Sequence, residues 1–150
     1  MGFSQTEKEV KSMLMVYRHF YNELDSITQK IILESTWNKV YFCDKKLFCG
    51  KLNKINSYSI LKFEGEKFFF ISFDENKNPQ KTIYGKYFID GRFLFLYFIN
   101  SNINNPENTH YEIINLIDNK YLVVEMWYYK ERKNGSTFKS THRRLLLQKQ

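Results

Sequence analysis

Alanine is absent from this chain, and its 150 residues include only two prolines, two cysteines and two tryptophans. Alanine is the strongest helix former, so its absence argues against an all-helical fold. No stretch approaches the roughly 20 apolar residues that a membrane-spanning helix needs. Residues 1–30 lack the layout of a secretory signal peptide, and sparse cysteine is typical of reducing compartments. We therefore expect no transmembrane segment and a cytoplasmic location, provided that no leader precedes the chain.

Positive charge is in excess but thinly spread. The chain has 23 Lys and Arg against 16 Asp and Glu, a net charge of +7. Such a balance suits an acidic partner, a nucleic acid or a membrane surface, but it also serves solubility alone. The cations are mostly single lysines, and arginine, which reads bases and phosphates best, is scarce. Nucleic-acid binding is therefore the weakest of the functional hypotheses.

The two cysteines, Cys43 and Cys49, do not form a zinc motif, because no second pair or flanking histidine completes four ligands. On facing strands of a hairpin they would be close enough for a disulfide. Two free thiols are the alternative.

Motifs of common enzymes are missing. His19, His110 and His142 have no metal-ligand spacing, and each fits a surface or packed histidine. Glu125 lies among apolar residues, so we expect a Lys or Arg partner on an outward face. No nucleophile, base and orienting residue can be named together. We expect a protein that is not an enzyme, with no catalytic residues, no metal and no cofactor.

The segment 4–34 has helical periodicity. Apolar residues recur at steps of three and four, as on one face of an amphipathic helix. A capping box at Ser4 starts the pattern, and a second at Ser26 would break it near Asp25. One long helix and two shorter helices both fit. The periodic positions are Val10, Met13, Leu14, Tyr17, Phe20, Tyr21, Leu24, Ile27 and Ile31.

From Trp37 onward the period changes to two, which predicts antiparallel strands. Short turn sequences alternate with longer connections, so tight turns gather at one end of the sheet and longer loops at the other. Consecutive hairpins form a meander, which avoids exposed edges by closing into an up-and-down barrel. The predicted strands are 37–43, 47–52, 58–63, 67–73, 81–89, 92–99, 109–117, 120–130 and 136–147.

These segments predict a mainly β single domain over 1–150, with an N-terminal helical segment at 4–34 and a barrel of eight or nine strands at 35–147. Strands 67–73 and 92–99 are apolar on both faces, so each needs cover on both sides, and the helix is the obvious outer cover. Alternation defines two sets of side chains without deciding which set is inside. The set that we assign to a ligand pocket is Phe69, Ile71, Phe93, Phe95, Tyr97, Val123 and Trp127. The set that we assign to the helix is Phe68, Phe70, Leu94, Leu96 and Phe98.

The strand pattern resembles the lipocalin/calycin group, especially the small lipocalin-like domains common in Bacteroidetes. Trp37 opens the first strand, hairpins follow at 63–68 and 85–92, and Tyr111–Leu116 leads into Tyr121–Val124. The resemblance covers residues 35–147 and implies a barrel with a ligand pocket.

The resemblance also implies a closure of the barrel base, in which Trp37 lies beneath the guanidinium of Arg143 or Arg144 on the last strand. The chain departs from the lipocalin signature at Ser35, where the signature has glycine, and its helix precedes the barrel.

Two functions from different classes fit this sequence. The first is a non-catalytic binding protein that holds a small hydrophobic ligand inside the barrel. The second is a protein-interaction, assembly or inhibitor module that acts through an exposed apolar-aromatic face, with a self-filled barrel and no ligand. One helix cannot cover every two-sided strand, and exposed apolar patches usually mark interfaces. A self-complementary patch would produce a homodimer.

Overall fold

Two helices precede nine strands in the computed structural model, which describes residues 6–15, 23–44, 49, 51–98, 109–131 and 137–150. No helix in these ranges is long and apolar enough to cross a membrane. The elements are α1 (Glu7–Leu14), α2 (Ser26–Glu34), β1 (Trp37–Asp44), β2 (Leu52–Lys54), β3 (Ser59–Glu64), β4 (Lys67–Phe73), β5 (Pro79–Asp90), β6 (Phe93–Phe98), β7 (Thr109–Ile117), β8 (Tyr121–Glu131) and β9 (Thr137–Lys149).

Each helix begins at a polar cap. The Thr6 hydroxyl accepts a hydrogen bond from the Glu9 amide at 3.2 Å, so Thr6 caps α1, and the predicted cap Ser4 lies outside the described residues. The Asp25 carboxylate accepts one from the Thr28 amide at 2.7 Å and caps α2. Each cap satisfies a backbone N–H that has no partner within the helix. Of the two alternatives that the sequence leaves open, the structure has two shorter helices, the second of which is capped by Asp25 and begins at Ser26.

The predicted apolar face of the helical segment is only partly confirmed. Val10, Leu14 and Leu24 are buried, but Ile27 is 72% exposed. The aromatic positions of this face, Tyr17, Phe20 and Tyr21, lie outside the described residues.

The strands form a closed antiparallel barrel, as predicted. Each strand from β3 to β9 pairs with the next, and β1 pairs with both β3 and β9, which closes a circuit of eight strands. The short β2 lies outside this circuit and pairs only with the far half of β1. The predicted strand 47–52 is misplaced, because Cys49 and Lys51 are not in a strand and β2 begins only at Leu52. Positions 47, 48 and 50 lie outside the described residues.

Tight turns gather at the end of the barrel where α2 lies. Gly65 and Gly91 have φ values of 60° and 64°, and Asp118 and Asn119 have 52° and 54°. Positive φ matches the right-handed twist of the strands that flank a short hairpin turn. The Leu24 amide, just before α2, donates to the Gly91 carbonyl at 3.2 Å. The predicted turn at 134–135 lies outside the described residues.

Two apolar clusters lie on opposite sides of the barrel wall. The first draws on seven strands around the circuit, so only the barrel interior can hold it; its buried members are Leu24, Ile32, Trp37, Leu61, Phe68, Leu94, Leu96, Tyr111, Ile113, Leu122, Val124, Leu145 and Leu147. The second lies between α1 and the outer surface of β1, β7, β8 and β9; its buried members are Val10, Leu14, Val40, Cys43, Cys49, Ile114, Val123 and Leu146.

This arrangement corrects the predicted lining of the ligand pocket. The set of side chains that we assigned to the pocket lies outside the barrel, and the set that we assigned to the helix lies inside. The set that we had assigned to the helix faces the interior: Phe68, Leu94 and Leu96 are buried there and Phe70 packs against them, while the side chain of Phe98 is not described. The helix α1 has only eight residues and covers a different part of the wall. The former lining set, which lies on the outer face, is Phe69, Ile71, Phe93, Phe95, Tyr97, Val123 and Trp127.

Candidate ligand-binding site

Trp37 closes the α2 end of the barrel. Its ring is fully buried in the interior cluster, and its Nε1 donates to the Ile32 carbonyl at 2.9 Å. That carbonyl belongs to the last turn of α2, where the helix offers no internal donor. The indole therefore joins α2 to β1, the first strand of the barrel.

Neither arginine lies over Trp37, so the closure expected from the lipocalin resemblance is wrong. The pairing of β1 with β9 places Trp37 opposite Lys149 and Asp44 opposite Arg143. Six residues of strand separate Lys149 from Arg143, about 20 Å. The guanidinium of Arg143 instead lies over the Phe42 ring, with Cζ 4.1 Å from its centroid. The first and last strands do pair as the resemblance implies, but their register keeps the predicted partners apart.

Arg144 faces the outside of the wall. Its Nη1 donates to the Leu14 carbonyl at the end of α1 at 2.8 Å, and its Nη2 donates to the Glu125 carboxylate. The Glu125 side chain is only 5% exposed. The prediction of an outward Glu125 with a cationic partner is thus confirmed, and this ion pair fastens α1 to the barrel.

Lys39 faces the barrel interior. It lies two residues after Trp37 on the same face of β1 and opposite the buried Leu147 of β9. Its Nζ lies 4.4 Å from the centroid of the Phe70 ring. Burial among protein atoms and, second to it, the nearby charge of Arg143 lower the pKa of Lys39 to about 8.

Arg143 faces the same interior from β9. It lies two residues before the buried Leu145, and its cross-strand partner on β8 is Met126, which packs on the interior cluster. Its Nε is buried and makes no hydrogen bond within the described part of the structure. We call Lys39 and Arg143 the interior cationic pair.

The surroundings of the interior cationic pair are apolar. Among the described side chains that face the interior we find no carboxylate. The described side chains that face the interior therefore carry positive charge without a carboxylate to balance it.

Solvent reaches the interior around this pair. Lys39, Phe42, Phe70, Met126 and Arg143 keep partial exposure although they face inward. Partial exposure recurs at the α2 end, whereas the interior side chains between the two regions, such as Leu61, Phe68 and Leu147, are buried. The barrel is therefore filled through this middle layer and more open around the cationic pair. We take these five residues as the candidate ligand site.

A second candidate surface lies outside the barrel on β5 to β8. The Phe88 ring stacks on Phe95 and on Tyr97, with centroid distances of 4.8 and 5.5 Å. Phe88 is 45% exposed and Tyr97 38% exposed. We call this patch the outer aromatic surface; its members are Phe88, Phe93, Phe95, Tyr97, His110 and Trp127.

An ion pair anchors one side of the outer aromatic surface. Arg92 Nε donates to Glu112 at 3.0 Å, and Trp127 Nε1 donates to the same carboxylate at 3.3 Å. His110 is buried and stacks on Trp127, which confirms the prediction of a packed histidine at that position. The predictions for His19 and His142 fall on a residue and on a side chain that lie outside the described part.

The remaining sites offer little chemistry. Cys43 and Cys49 are buried free thiols, so the disulfide alternative is not realised. Within the described ranges no three His, Cys, Asp or Glu residues cluster as metal ligands. An open groove of about 480 Å³ lies between α1 and the β7–β8 turn, lined by Met13, Ile117 and Tyr121 among others.

No protein-family model matches the chain, and a search of curated proteins found no match. The candidate site therefore depends on geometry alone. Sequence reasoning did not single out Lys39 or Phe42, although the period of two from Trp37 places Lys39 on the face of that tryptophan. It singled out Arg143, but for a different contact.

Proposed function

We propose that the protein is a non-catalytic binding protein that holds a small, largely apolar ligand inside a lipocalin-like barrel. The observation that carries this proposal is the partial exposure of the inward-facing Phe42, Phe70 and Met126, which pack on the buried interior cluster. Apolar ligand surface removed from water there contributes about 25 cal/mol per Å² before ordering costs. Aromatic and thioether side chains adapt well to such ligands.

The proposal is tested by titrating the protein with 1-decanol and measuring heat by calorimetry. We expect saturable binding of one molecule per barrel. Met126→Phe, which enlarges a side chain facing the candidate site, should weaken binding severalfold, whereas Phe88→Ser on the outer aromatic surface should not. Binding that ignores Met126→Phe but is lost in Phe88→Ser would move the site outside the barrel. Absence of any binding would remove the proposal.

The outer aromatic surface favours a second candidate function, a protein-interaction module. Stacked, exposed rings such as Phe88 and Tyr97 are unusual on a monomer and common at interfaces. A homodimer through this face is the simplest form. Sedimentation should then show dimers for the wild type and monomers for Phe88→Ser combined with Tyr97→Ser. A wild-type monomer at every concentration tested would argue against the dimer.

A further inference from the structure

We propose that the ligand is an anionic amphiphile, whose carboxylate or phosphate headgroup binds between Lys39 and Arg143 while its apolar part lies along the interior aromatic side chains. This inference rests on the proposed binding function and adds the chemical class of the ligand.

Two cations lie near each other on one stretch of the interior wall. Lys39 on β1 pairs with Leu147, which lies four residues from Arg143 along β9, about 13 Å. Phe42 lies between them on the same face, with its cross-strand partner Leu145. Lysine and arginine have the longest flexible side chains, so both cationic ends can bend toward one headgroup above Phe42.

The protein leaves one donor of this pair, the Nε of Arg143, without an acceptor among the described residues. Both cations rest on aromatic rings, which accept no strong hydrogen bonds. A carboxylate or phosphate oxygen would provide the missing acceptor, and arginine binds such planar or tetrahedral anions with several donors at once.

A lysine on the outer side of the wall, Lys62, offers a comparison with Lys39. Lys62 also lies near a phenylalanine ring, with its Nζ 5.7 Å from the centroid of Phe69, but its ammonium also contacts Glu64 at 2.9 Å. On the outside, a lysine over an aromatic ring is thus balanced by a carboxylate. Burying two like charges without such balance destabilises the barrel, and an anionic ligand would remove that cost.

The apolar surroundings exclude a bare inorganic ion as the best ligand. Phe42, Phe70 and Met126 form the nearest described interior surface, and the buried interior cluster continues it. A ligand with only a headgroup would leave this surface in water. A ligand with an attached chain covers it, which adds apolar burial to the ionic contacts.

The experiment is a calorimetric titration of the full chain with decanoate, decyl phosphate, 1-decanol and inorganic phosphate. We expect decanoate or decyl phosphate to bind about tenfold or more tightly than 1-decanol, because a charge-assisted hydrogen bond contributes about that factor. The tighter of the two identifies the headgroup. Inorganic phosphate alone should bind more weakly than decyl phosphate.

Three variants test whether the interior cations, and not the positive charge of the whole protein, bind the headgroup. Lys39→Met and Arg143→Met should each reduce the affinity for the anionic probe about tenfold or more and leave the affinity for 1-decanol nearly unchanged. Lys62→Met, the matched control outside the barrel, should leave both affinities unchanged. Thermal unfolding of each variant checks that it is folded, and Lys39→Gln is a polar alternative if a methionine variant fails.

The outcomes distinguish this inference from the proposed function. If 1-decanol binds as tightly as the anions, and the interior variants change nothing, the barrel binds apolar ligands but the anionic class is wrong. An equal loss in Lys62→Met would also overturn the inference, since it would reflect general charge. If neither the alcohol nor the anions bind, the proposed function fails together with it.

Discussion

Arg143 and Arg144 are neighbours in sequence, yet their guanidinium groups lie on opposite sides of the barrel wall. Arg143 points inward over the Phe42 ring, and Arg144 points outward to Glu125 and to the end of α1. Alternation along a strand makes this inevitable once the register is set. Arg144 therefore has a carboxylate partner that balances its charge, whereas Arg143 lies over an aromatic ring.

We predict opposite behaviour for the two arginine-to-methionine variants. Arg144→Met leaves the buried carboxylate of Glu125 without its cation and removes the link to Leu14, so it should cost about 3–5 kcal/mol of unfolding free energy. Arg143→Met removes a partly desolvated cation and a cation–π contact, effects that offset each other to within about 1 kcal/mol. Urea unfolding at pH 7 measures both. Equal losses in the two variants would show that Arg143 is also a structural residue.

The lowered pKa of Lys39 predicts a pH-dependent stability difference. Its native pKa of about 8 lies below its ordinary value of 10.5. Between these two pH values the unfolded chain binds more protons than the native one, so this residue makes stability rise with pH. Below pH 8 the buried charge costs the wild type at most about 3 kcal/mol, since one pKa unit corresponds to about 1.4 kcal/mol.

Lys39→Met is the variant that isolates this effect. At pH 7 it should be more stable than the wild type by up to about 3 kcal/mol, and the difference should shrink between pH 8 and 10.5. Comparing the two proteins cancels the titration of groups that they share, and urea unfolding across this pH range measures the difference. A variant that is less stable at pH 7, or a difference that grows with pH, would contradict the assignment of Lys39 to the interior.

Two neighbouring phenylalanines on β4 test which side chains of this strand face the barrel interior. Phe68 is fully buried inside the barrel, while Phe69 lies outside, stacked on Tyr84 with a centroid distance of 6.1 Å. Phe68→Ala should cost about 3–5 kcal/mol, the range for deleting a buried aromatic ring. Phe69→Ala should cost clearly less. Denaturant unfolding decides, and the reverse order would restore our first assignment.

The hydrogen bond between Trp37 and α2 predicts a specific loss of unfolding free energy when the indole N–H is removed. Trp37→Phe keeps most of the apolar ring but leaves the buried Ile32 carbonyl without its donor, so it should cost about 1–3 kcal/mol beyond the change in packing. Because Arg143 lies about 20 Å along the wall from this ring, the effects of Trp37→Phe and Arg143→Met should add. Strong coupling between them, measured by a double-mutant cycle, would revive the lipocalin-type closure.

The sequence predicted the strands well because two strong signals agree there. Period-two alternation and turn residues identify 67–73 and 109–117 with the same bounds that the structure has. Inside and outside were not predictable, since Phe68 and Phe69 are equally apolar and only the packing of the whole circuit distinguishes them. The contact partners of Trp37 and Arg143 depend on the register of β1 and β9, which an irregularity between Lys39 and Tyr41 shifts. No local pattern reveals that shift, so the closure was predicted wrongly and Lys39 was missed.

The most direct test of the binding site uses the methionine methyl groups. Met126 faces the interior beside Arg143, whereas Met13 lies on α1 and Met15 directly after it, both outside the barrel. In a protein labelled with ¹³C at the methionine methyls, a titration with decanoate should shift the Met126 resonance and give contacts between its methyl and the decanoate chain, while the Met13 and Met15 signals stay in place. An unmoved Met126 signal with shifts confined to the α1 methionines would contradict a ligand site inside the barrel.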